Sequence, residues 1–210
     1  MIHILIADDH TIVRKGLKEL VEYTKEIVVI AEAKNSAEVM NQMSAVQFDV
    51  VVLDINMPGR SGLETLKEIR KLYPNIPVLI LSMYPEEQYA VRVIRSGAAG
   101  YLTKDSAPEE LINAIKIVAG GKKYINIKIA EQLVKHFDQS IDKPAHEVLS
   151  DREYEIMLKI ASGMTITEIA NDLSLSVKTI STYKSRLMQK IDLKNTNELV
   201  QYVLNNKLKP

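Results

Sequence analysis

Val50-Val51-Val52-Leu53-Asp54-Ile55-Asn56-Met57-Pro58-Gly59 runs four branched apolar residues straight into an aspartate. A run that is apolar at every position, not at every second one, reads as a strand buried on both faces. Four more runs of the same kind flank it: His3–Ala7, Ile27–Ala31, Val78–Leu81 and Ala99–Leu102. Between them lie amphipathic stretches such as Leu63, Leu66, Ile69, Arg70 and Tyr73, spaced three and four apart. Ser61-x-x-Glu64 gives that stretch a capping box, and Pro74 ends it. Five strand–helix units in succession imply a parallel sheet covered by helices, because right-handed crossovers leave few alternatives. The expected fold over residues 1–120 is therefore an α/β doubly wound, five-stranded parallel sheet of order 2-1-3-4-5.

Gly120-Gly121 breaks that pattern. Residues 121–148 read as a connecting segment with one amphipathic helix over 126–137, carrying Ile129, Leu133, Val134 and Phe137 on one side. Ser140–Glu147, with Pro144, reads as a linker. Residues 149–210 are helical throughout in pattern, so a separate all-α domain of four helices is expected.

The 210 residues suffice for two domains, each with its own core. The absence of cysteine excludes disulfides and thiolate metal sites. No apolar run approaches the ~18 residues of a membrane helix, and Met1-Ile2-His3-Ile4 lacks the basic start of a signal peptide. A cytoplasmic protein with no membrane partner is the expectation. The formal net charge is zero, which on its face argues against nucleic acid. Divided, the chain differs: residues 1–120 carry 13 Lys and Arg against 16 Asp and Glu, a balance of −3, whereas residues 150–210 carry 9 against 7, a balance of +2. Residues 178–190 contain Lys178, Lys184, Arg186 and Lys190 and no acidic residue, a local basic stripe that the whole-chain charge conceals.

The strand ends carry the chemistry. Asp8 and Asp9 follow the first strand, Asp54 the third, Ser82 the fourth and Lys104 the fifth. In the order 2-1-3-4-5, the first and third strands adjoin at the topological switch point, where ligands bind beyond the carboxyl ends of strands. Three carboxylates gathered there repel one another. A hard divalent cation, Mg²⁺, relieves that repulsion while keeping several waters and a place for a phosphate. A carboxylate can attack phosphorus to give an acyl phosphate, with a lysine neutralising charge and a hydroxyl bonding a phosphoryl oxygen. Taken singly, Asp9 could be a helix N-cap, Tyr101 a half-buried strand residue with its hydroxyl in water, and Lys104 a solvated lysine. His10 reads as a polar residue at a helix start.

Ala7-Asp8-Asp9-His10, Leu53-Asp54-Ile55-Asn56-Met57-Pro58-Gly59, Leu81-Ser82 and Gly100-Tyr101-Leu102-Thr103-Lys104 together resemble the receiver domain of two-component response regulators. The resemblance implies that Asp54 is the phospho-acceptor and that Asp9 and Asp54 ligate Mg²⁺ directly. It implies that Asp8 acts through water, that Asn56 offers its backbone carbonyl, and that the rotamer of Tyr101 couples to Ser82. It also implies a sensor histidine kinase as phosphodonor. One departure is Asp105, which stands where many receivers have proline.

In the last sixty residues, Ser150-x-x-Glu153 opens a helix with Ile156, Met157, Ile160 and Ala161 inward. Thr165-x-x-Glu168 opens a second, with Ile166, Ile169 and Ala170 inward. Ser176 is the expected N-cap of a third, whose inward residues are Val177, Ile180, Leu187 and Ile191. Asn195-x-x-Glu198 opens a fourth, with Leu199, Tyr202 and Val203. The third helix is expected to expose Lys178, Thr179, Ser181, Thr182, Lys184, Ser185 and Arg186. Cations there would neutralise phosphates, and Ser181, Thr182 and Ser185 would reach base edges of double-stranded DNA in the major groove. Leu149-Ser150-Asp151-Arg152-Glu153, Glu168-Ile169-Ala170 and Val177-Lys178-Thr179-Ile180 resemble the LuxR-type helix-turn-helix of the NarL/FixJ class of response regulators. That resemblance implies a homodimer formed on phosphorylation, with the fourth helix as a candidate contact, and RNA polymerase as a further candidate partner. Ser174 stands where the family usually has glycine in the turn, and Tyr183 where histidine is common.

The combined expectation is a transcriptional regulator, not a turnover enzyme, switched by phosphorylation of Asp54. Two readings from other classes compete with it. An aspartyl-phosphate hydrolase would carry its nucleophile on the first strand with a second aspartate two residues on, and Asp54-Ile55-Asn56 fits this badly. A phosphorylation-independent adaptor would keep one oligomeric state and fail to retain DNA in low salt.

Overall fold

The computed structural model describes residues 1–57, 60–138, 144–206 and 208. Pro58, Gly59 and Ser140–Lys143 of the segments singled out above lie outside the described residues, as does the side chain of Phe137. The chain divides into two compact units, Met1–Gln132 and Leu133–Pro210.

In the first unit the apolar runs form β1 (Ile2–Ala7), β2 (Ile27–Ala33), β3 (Val50–Asp54), β4 (Val78–Ser82) and β5 (Gly100–Thr103). They form one parallel sheet of order β2-β1-β3-β4-β5, as expected. Three expected strand ends shift by a residue, so that Asp54, Ser82 and Thr103 are the last strand residues, and β2 runs two residues further, to Ala33. The helices are α1 (Thr11–Glu22), α2 (Ser36–Ala45), α3 (Gly62–Leu72), α4 (Glu86–Arg95) and α5 (Ala107–Ala119). Every residue of β3 and β4 is buried, which explains the continuous apolar pattern. Ile4, Ile6, Val50, Val52, Leu79 and Leu81 pack with Leu17 and Val21 of α1 and with Leu111, Ile115 and Val118 of α5. The alternate residues Leu5, Val51, Leu53 and Ile80 face the other side and are equally buried. The Ser61–Glu64 capping box forms at the start of α3. Gly120 is the C-cap of α5, and Gly121 takes a φ of +78°, the left-handed backbone that glycine permits.

After α5 the chain makes an isolated parallel bridge between Tyr124 and Gly100, then enters α6 (Ile127–Asp138). Ile129 is buried and Leu133 half-buried, but Val134 is 59% exposed, so the expected four-residue stripe does not hold at that position.

The second unit contains α7 (Asp151–Ala161), α8 (Ile166–Asp172), α9 (Val177–Lys190) and α10 (Thr196–Asn205). Part of the expected linker is instead a 3-10 turn at Ala145–Val148, where the His146 amide donates to the Tyr202 hydroxyl at 3.0 Å. Capping boxes form at Ser150–Glu153 and Thr165–Glu168, and Ser176 and Asn195 cap α9 and α10. Ile156, Met157, Ile160, Ile169, Ala170, Ile180, Leu187, Ile191, Leu199 and Val203 form the core. Val177, expected inward, is 47% exposed, because the first residue of α9 sits beyond the packed face. Among the described residues, no helix is long and apolar enough to cross a membrane.

Candidate functional site

The parallel register sets the first site. Asp54 closes β3 opposite Leu81, while β1 ends at Ala7 opposite Leu53, so Asp8 and Asp54 emerge side by side at the carboxyl edge. Both are buried to about 1% exposure. The Lys104 ammonium, one residue beyond β5, lies 2.6 Å from Asp8 Oδ2 and 2.8 Å from Asp54 Oδ2. It is not the solvated lysine that its sequence position alone would suggest. The second oxygen of Asp54 accepts from the Asn56 amide at 3.0 Å. Burial, reinforced by the neighbouring Asp8 charge, pushes the Asp54 carboxyl up to about 6, against the opposing pull of Lys104. Burial alone would depress the Lys104 ammonium, but Asp54 and Asp8 hold it above its ordinary range.

Asp9 does not cap α1; that position belongs to His10, whose side chain makes no capping bond. The His10 imidazole turns to the carboxylates instead, with Nδ1 2.8 Å from Asp9 Oδ1 and 3.2 Å from Asp8 Oδ1. One donor atom from each of Asp8, Asp9, His10 and Asp54 lies within 4.8 Å of the others. That spacing and the hard carboxylate oxygens fit a divalent cation such as Mg²⁺. Sequence reasoning left His10 out of this cluster; a polar residue directly after two clustered aspartates was the available signal.

Ser82 and Tyr101 are both fully buried. The Ser82 hydroxyl accepts from the Tyr84 amide at 3.1 Å, and the Tyr101 hydroxyl donates to the Tyr84 carbonyl at 2.7 Å. Tyr101 thus points inward with its hydroxyl bonded to backbone, not to water, and burial pushes its phenol well up. The Tyr84 ring stacks on Tyr89 at 4.8 Å between centroids. Gly62, which sequence reasoning passed over, supports the Asp54 loop from below. A Cβ there would lie 2.1 Å from the Asp54 carbonyl oxygen and 2.6 Å from Ile55 Cα. Its amide donates to the Ile55 carbonyl at 2.8 Å, so α3 begins in direct backbone contact with the loop after β3.

The second site lies on α9. The turn before it is closed by the Leu175 amide on the Ala170 carbonyl at 2.8 Å, and Ser174 takes a φ of +53°. Serine therefore occupies the left-handed position at a cost that glycine would avoid. Lys190 fixes the far end of α9 to α7 through Glu153 Oε2 at 2.6 Å. Lys178, Ser181, Thr182, Ser185 and Arg186 are exposed on one face. The hydroxyls of Ser181, Thr182 and Ser185 each donate to the carbonyl four residues back, at 2.9, 2.9 and 3.0 Å. Their protons are engaged, and their lone pairs face outward as acceptors. Two expected members depart from the exposed set. Thr179 is half-buried with its hydroxyl 2.8 Å from that of Ser176, and Lys184 is half-buried with its ammonium donating to Thr196 Oγ1 on α10 at 2.8 Å. Both are drawn in by local partners at a helix start.

Residues 4–116 match the response regulator receiver domain, and residues 147–203 match the bacterial regulatory proteins of the luxR family. The chain is also 38% identical over 212 residues to the oxygen regulatory protein NreC of Staphylococcus carnosus, with 98% of each chain covered. This protein belongs to the two-component response regulators that join a receiver to a LuxR-type DNA-binding domain. It is a phosphorylation-dependent transcriptional regulator of that class. Among solved structures, the RcsB response regulator of Salmonella typhimurium is similar at 28% identity and a TM-score of 0.64, covering 97% of this chain and 100% of that one. RcsB solved as two dimers on two parallel DNAs is similar at 29% identity and a TM-score of 0.60, covering 97% and 98%.

Proposed function

We propose that residues 1–120 receive a phosphoryl group on Asp54 and that residues 149–210 bind double-stranded DNA through α9. Residues 121–148 would then be the segment that connects them. One observation carries the reading: a buried aspartate at the switch point, shared with Asp8 by a single lysine, in a chain that also presents a basic, hydroxyl-rich helix. In the transfer, an Asp54 carboxylate oxygen bonds to phosphorus as the donor's P–N or P–O bond breaks, and the leaving group departs with that electron pair. A sensor histidine kinase would supply a phosphohistidine, and a small acyl phosphate could substitute for it. Asp9 and Asp54 would hold Mg²⁺ directly, Asp8 through water and Asn56 through its carbonyl. The ion would supply charge neutralisation at the phosphoryl oxygens. Lys104, already poised between two carboxylates, would release Asp8 to pair with the phosphoryl group. Ser82 would donate its hydroxyl to another phosphoryl oxygen, and Tyr101 would follow Ser82.

The transfer is stoichiometric, with one group held per chain, so the protein acts as a switch in the cytoplasm and not as a turnover enzyme. On DNA, Lys178 and Arg186 would neutralise phosphates while Ser181, Thr182 and Ser185 accept from base edges. Thr179 and Lys184 would order the helix start and its contact with α10. The DNA-bound dimers of RcsB support a homodimer here, with two α9 helices reading two half-sites. RNA polymerase would be met at the promoter.

The test is intact mass after incubation with Mg²⁺ and acetyl phosphate, beside an Asp54→Ala control. A gain of about 80 Da in the wild type alone is the expected outcome. An equal gain in Asp54→Ala would move the acceptor elsewhere.

A further inference from the structure

The segment leaving α5 is fastened to the loop that contains the switch residues. Asn126 carries both halves of the fastening. Its Oδ1 accepts from the Ile129 amide at 3.0 Å, and its backbone carbonyl from the Ala130 amide at 3.0 Å, so it caps α6. Its Nδ2 donates to Glu86 Oε1 at 2.5 Å. Glu86 is the first residue of α4, buried at 7% exposure, and stands two residues after Tyr84. Tyr84 in turn gives its amide to Ser82 and its carbonyl to Tyr101. Only three residues, Met83, Tyr84 and Pro85, therefore separate Ser82 from the residue whose carboxylate holds the start of α6.

Two further contacts set the same segment in register. The Tyr124 amide donates to the Ala99 carbonyl at 2.8 Å, beside a Gly100 whose missing Cβ would otherwise lie 2.9 Å from Tyr124. The Tyr124 hydroxyl donates to Glu110 Oε2 at 2.6 Å. These fix Tyr124 to Ala99, next to the start of β5, and to Glu110 of α5. Asn126 is the point where this strip meets the start of α4. Beside it, a cleft of about 520 Å³ is lined by Glu86, Thr103, Glu110, Asn126 and Lys128 among others. Glu86 Oε2 is buried there without a hydrogen-bond partner. One bond holds the Glu86 carboxylate to α6, and there is open space into which it can turn.

We infer that the Glu86–Asn126 bond is a latch that ties the N-terminus of α6 to the phosphorylation state of the receiver. The inference rests on Asp54 being the acceptor that draws Ser82 inward. When Ser82 moves toward a phosphoryl group, Tyr84 loses its place between Ser82 and Tyr101, and the backbone carries Glu86 away from Asn126. The start of α6, through which the chain continues into the second unit, loses its anchor. Asn126 is a positioning residue: it touches no reacting atom.

The experiment separates cap from latch in the full chain. Asn126→Ser keeps a good N-cap but is too short to reach Glu86, whereas Asn126→Asp keeps the cap and sets a carboxylate against Glu86. Amide hydrogen exchange over residues 127–134 is followed with and without Mg²⁺ and acetyl phosphate, and intact mass of the same samples reports phosphorylation separately. In the wild type, phosphorylation raises exchange there by about fivefold, the scale of one lost hydrogen bond. Unphosphorylated Asn126→Ser and Asn126→Asp already exchange at that faster rate and respond less than twofold, while gaining the phosphoryl group normally. Wild-type exchange in both unphosphorylated variants would overturn the latch, whatever happens at Asp54. So would a wild type that gains mass and keeps the same exchange. A wild type that gains no mass counts against Asp54 as acceptor instead, and the unphosphorylated variants still decide whether the bond holds α6.

Discussion

Replacing Asp54 by Asn should stabilise the metal-free first unit at neutral pH. The Asp54 carboxyl is held at about 6, against an ordinary 3.8, because its charged form is buried beside Asp8. A group whose folded pKa is raised adds stability below its unfolded pKa, and that stability is lost as pH rises through the folded value. Above pH 6 the ionised Asp54 is therefore a standing cost. At about 1.4 kcal/mol for each tenfold in proton affinity, the gap from 3.8 to about 6 corresponds to a ceiling of about 3 kcal/mol. Asparagine keeps an acceptor for Lys104 or the Asn56 amide and removes the charge. Lys104 retains Asp8 at 2.6 Å. The gain should fall between about 1 and 3 kcal/mol at pH 7.5 in EDTA, shrinking toward zero by pH 4 as wild-type Asp54 protonates. Urea titrations read by hydrogen exchange in β1 and β3 report the first unit alone. A destabilised Asp54→Asn at pH 7.5, or a gain of equal size at pH 4, would refute the reasoning.

Other expectations follow from the same geometry. Mg²⁺ at a hundred times its dissociation constant should stabilise the wild-type first unit by about 2.7 kcal/mol, and Asp9→Ala should abolish most of that gain in the same urea assay. Gly62→Ala forces a Cβ onto the Asp54 carbonyl. It should cost at least about 2 kcal/mol and slow acetyl-phosphate labelling of Asp54, measured as mass gain against time. Lys178→Ala should reduce the slope of log affinity against log salt by about one per protomer in DNA titrations, with little change in fold. Lys184→Ala, whose ammonium is committed to Thr196, should instead lower thermal stability by about 1 kcal/mol and leave the salt slope nearly intact.

Most of the architecture was legible because it is written in short-range terms. Continuous apolar runs gave the five strands, and each Ser/Thr-x-x-Glu signature marked a helix start where the cap now forms. The gathering of Asp8, Asp9, Asp54, Ser82 and Lys104 at one edge followed from strand order alone. What pattern could not supply was the direction of individual side chains. Nothing in the spacing of α9 says that Lys184 bends to a hydroxyl twelve residues on, or that Val177 lies outside the packed face. The Gly62 requirement was hidden for a different reason. A glycine that opens a helix is unremarkable in sequence, and only the position its Cβ would take, 2.1 Å from the Asp54 carbonyl oxygen, shows that a side chain has no room.

The two sides of the receiver site are held in different ways, and this bears on how the switch moves. On the Asp54 side, like charges are compressed with one lysine between them, an arrangement that welcomes added positive charge. On the Ser82 side, the named groups are neutral and joined to one another: Ser82 accepts from Tyr84, Tyr101 donates to Tyr84, and the Tyr84 and Tyr89 rings stack. Metal binding should therefore relax the first side without disturbing the second. A phosphoryl group differs because it reaches both, taking Lys104 from Asp8 and offering Ser82 an acceptor stronger than any neutral one. Tyr101→Phe removes the hydroxyl that fastens Tyr84 on the second side only. It should leave Mg²⁺ affinity within about twofold of wild type while raising exchange at the start of α4, an effect of about one hydrogen bond. Parallel loss of Mg²⁺ affinity in that variant would mean that the two sides are one mechanical unit, and that the cation alone can move the loop.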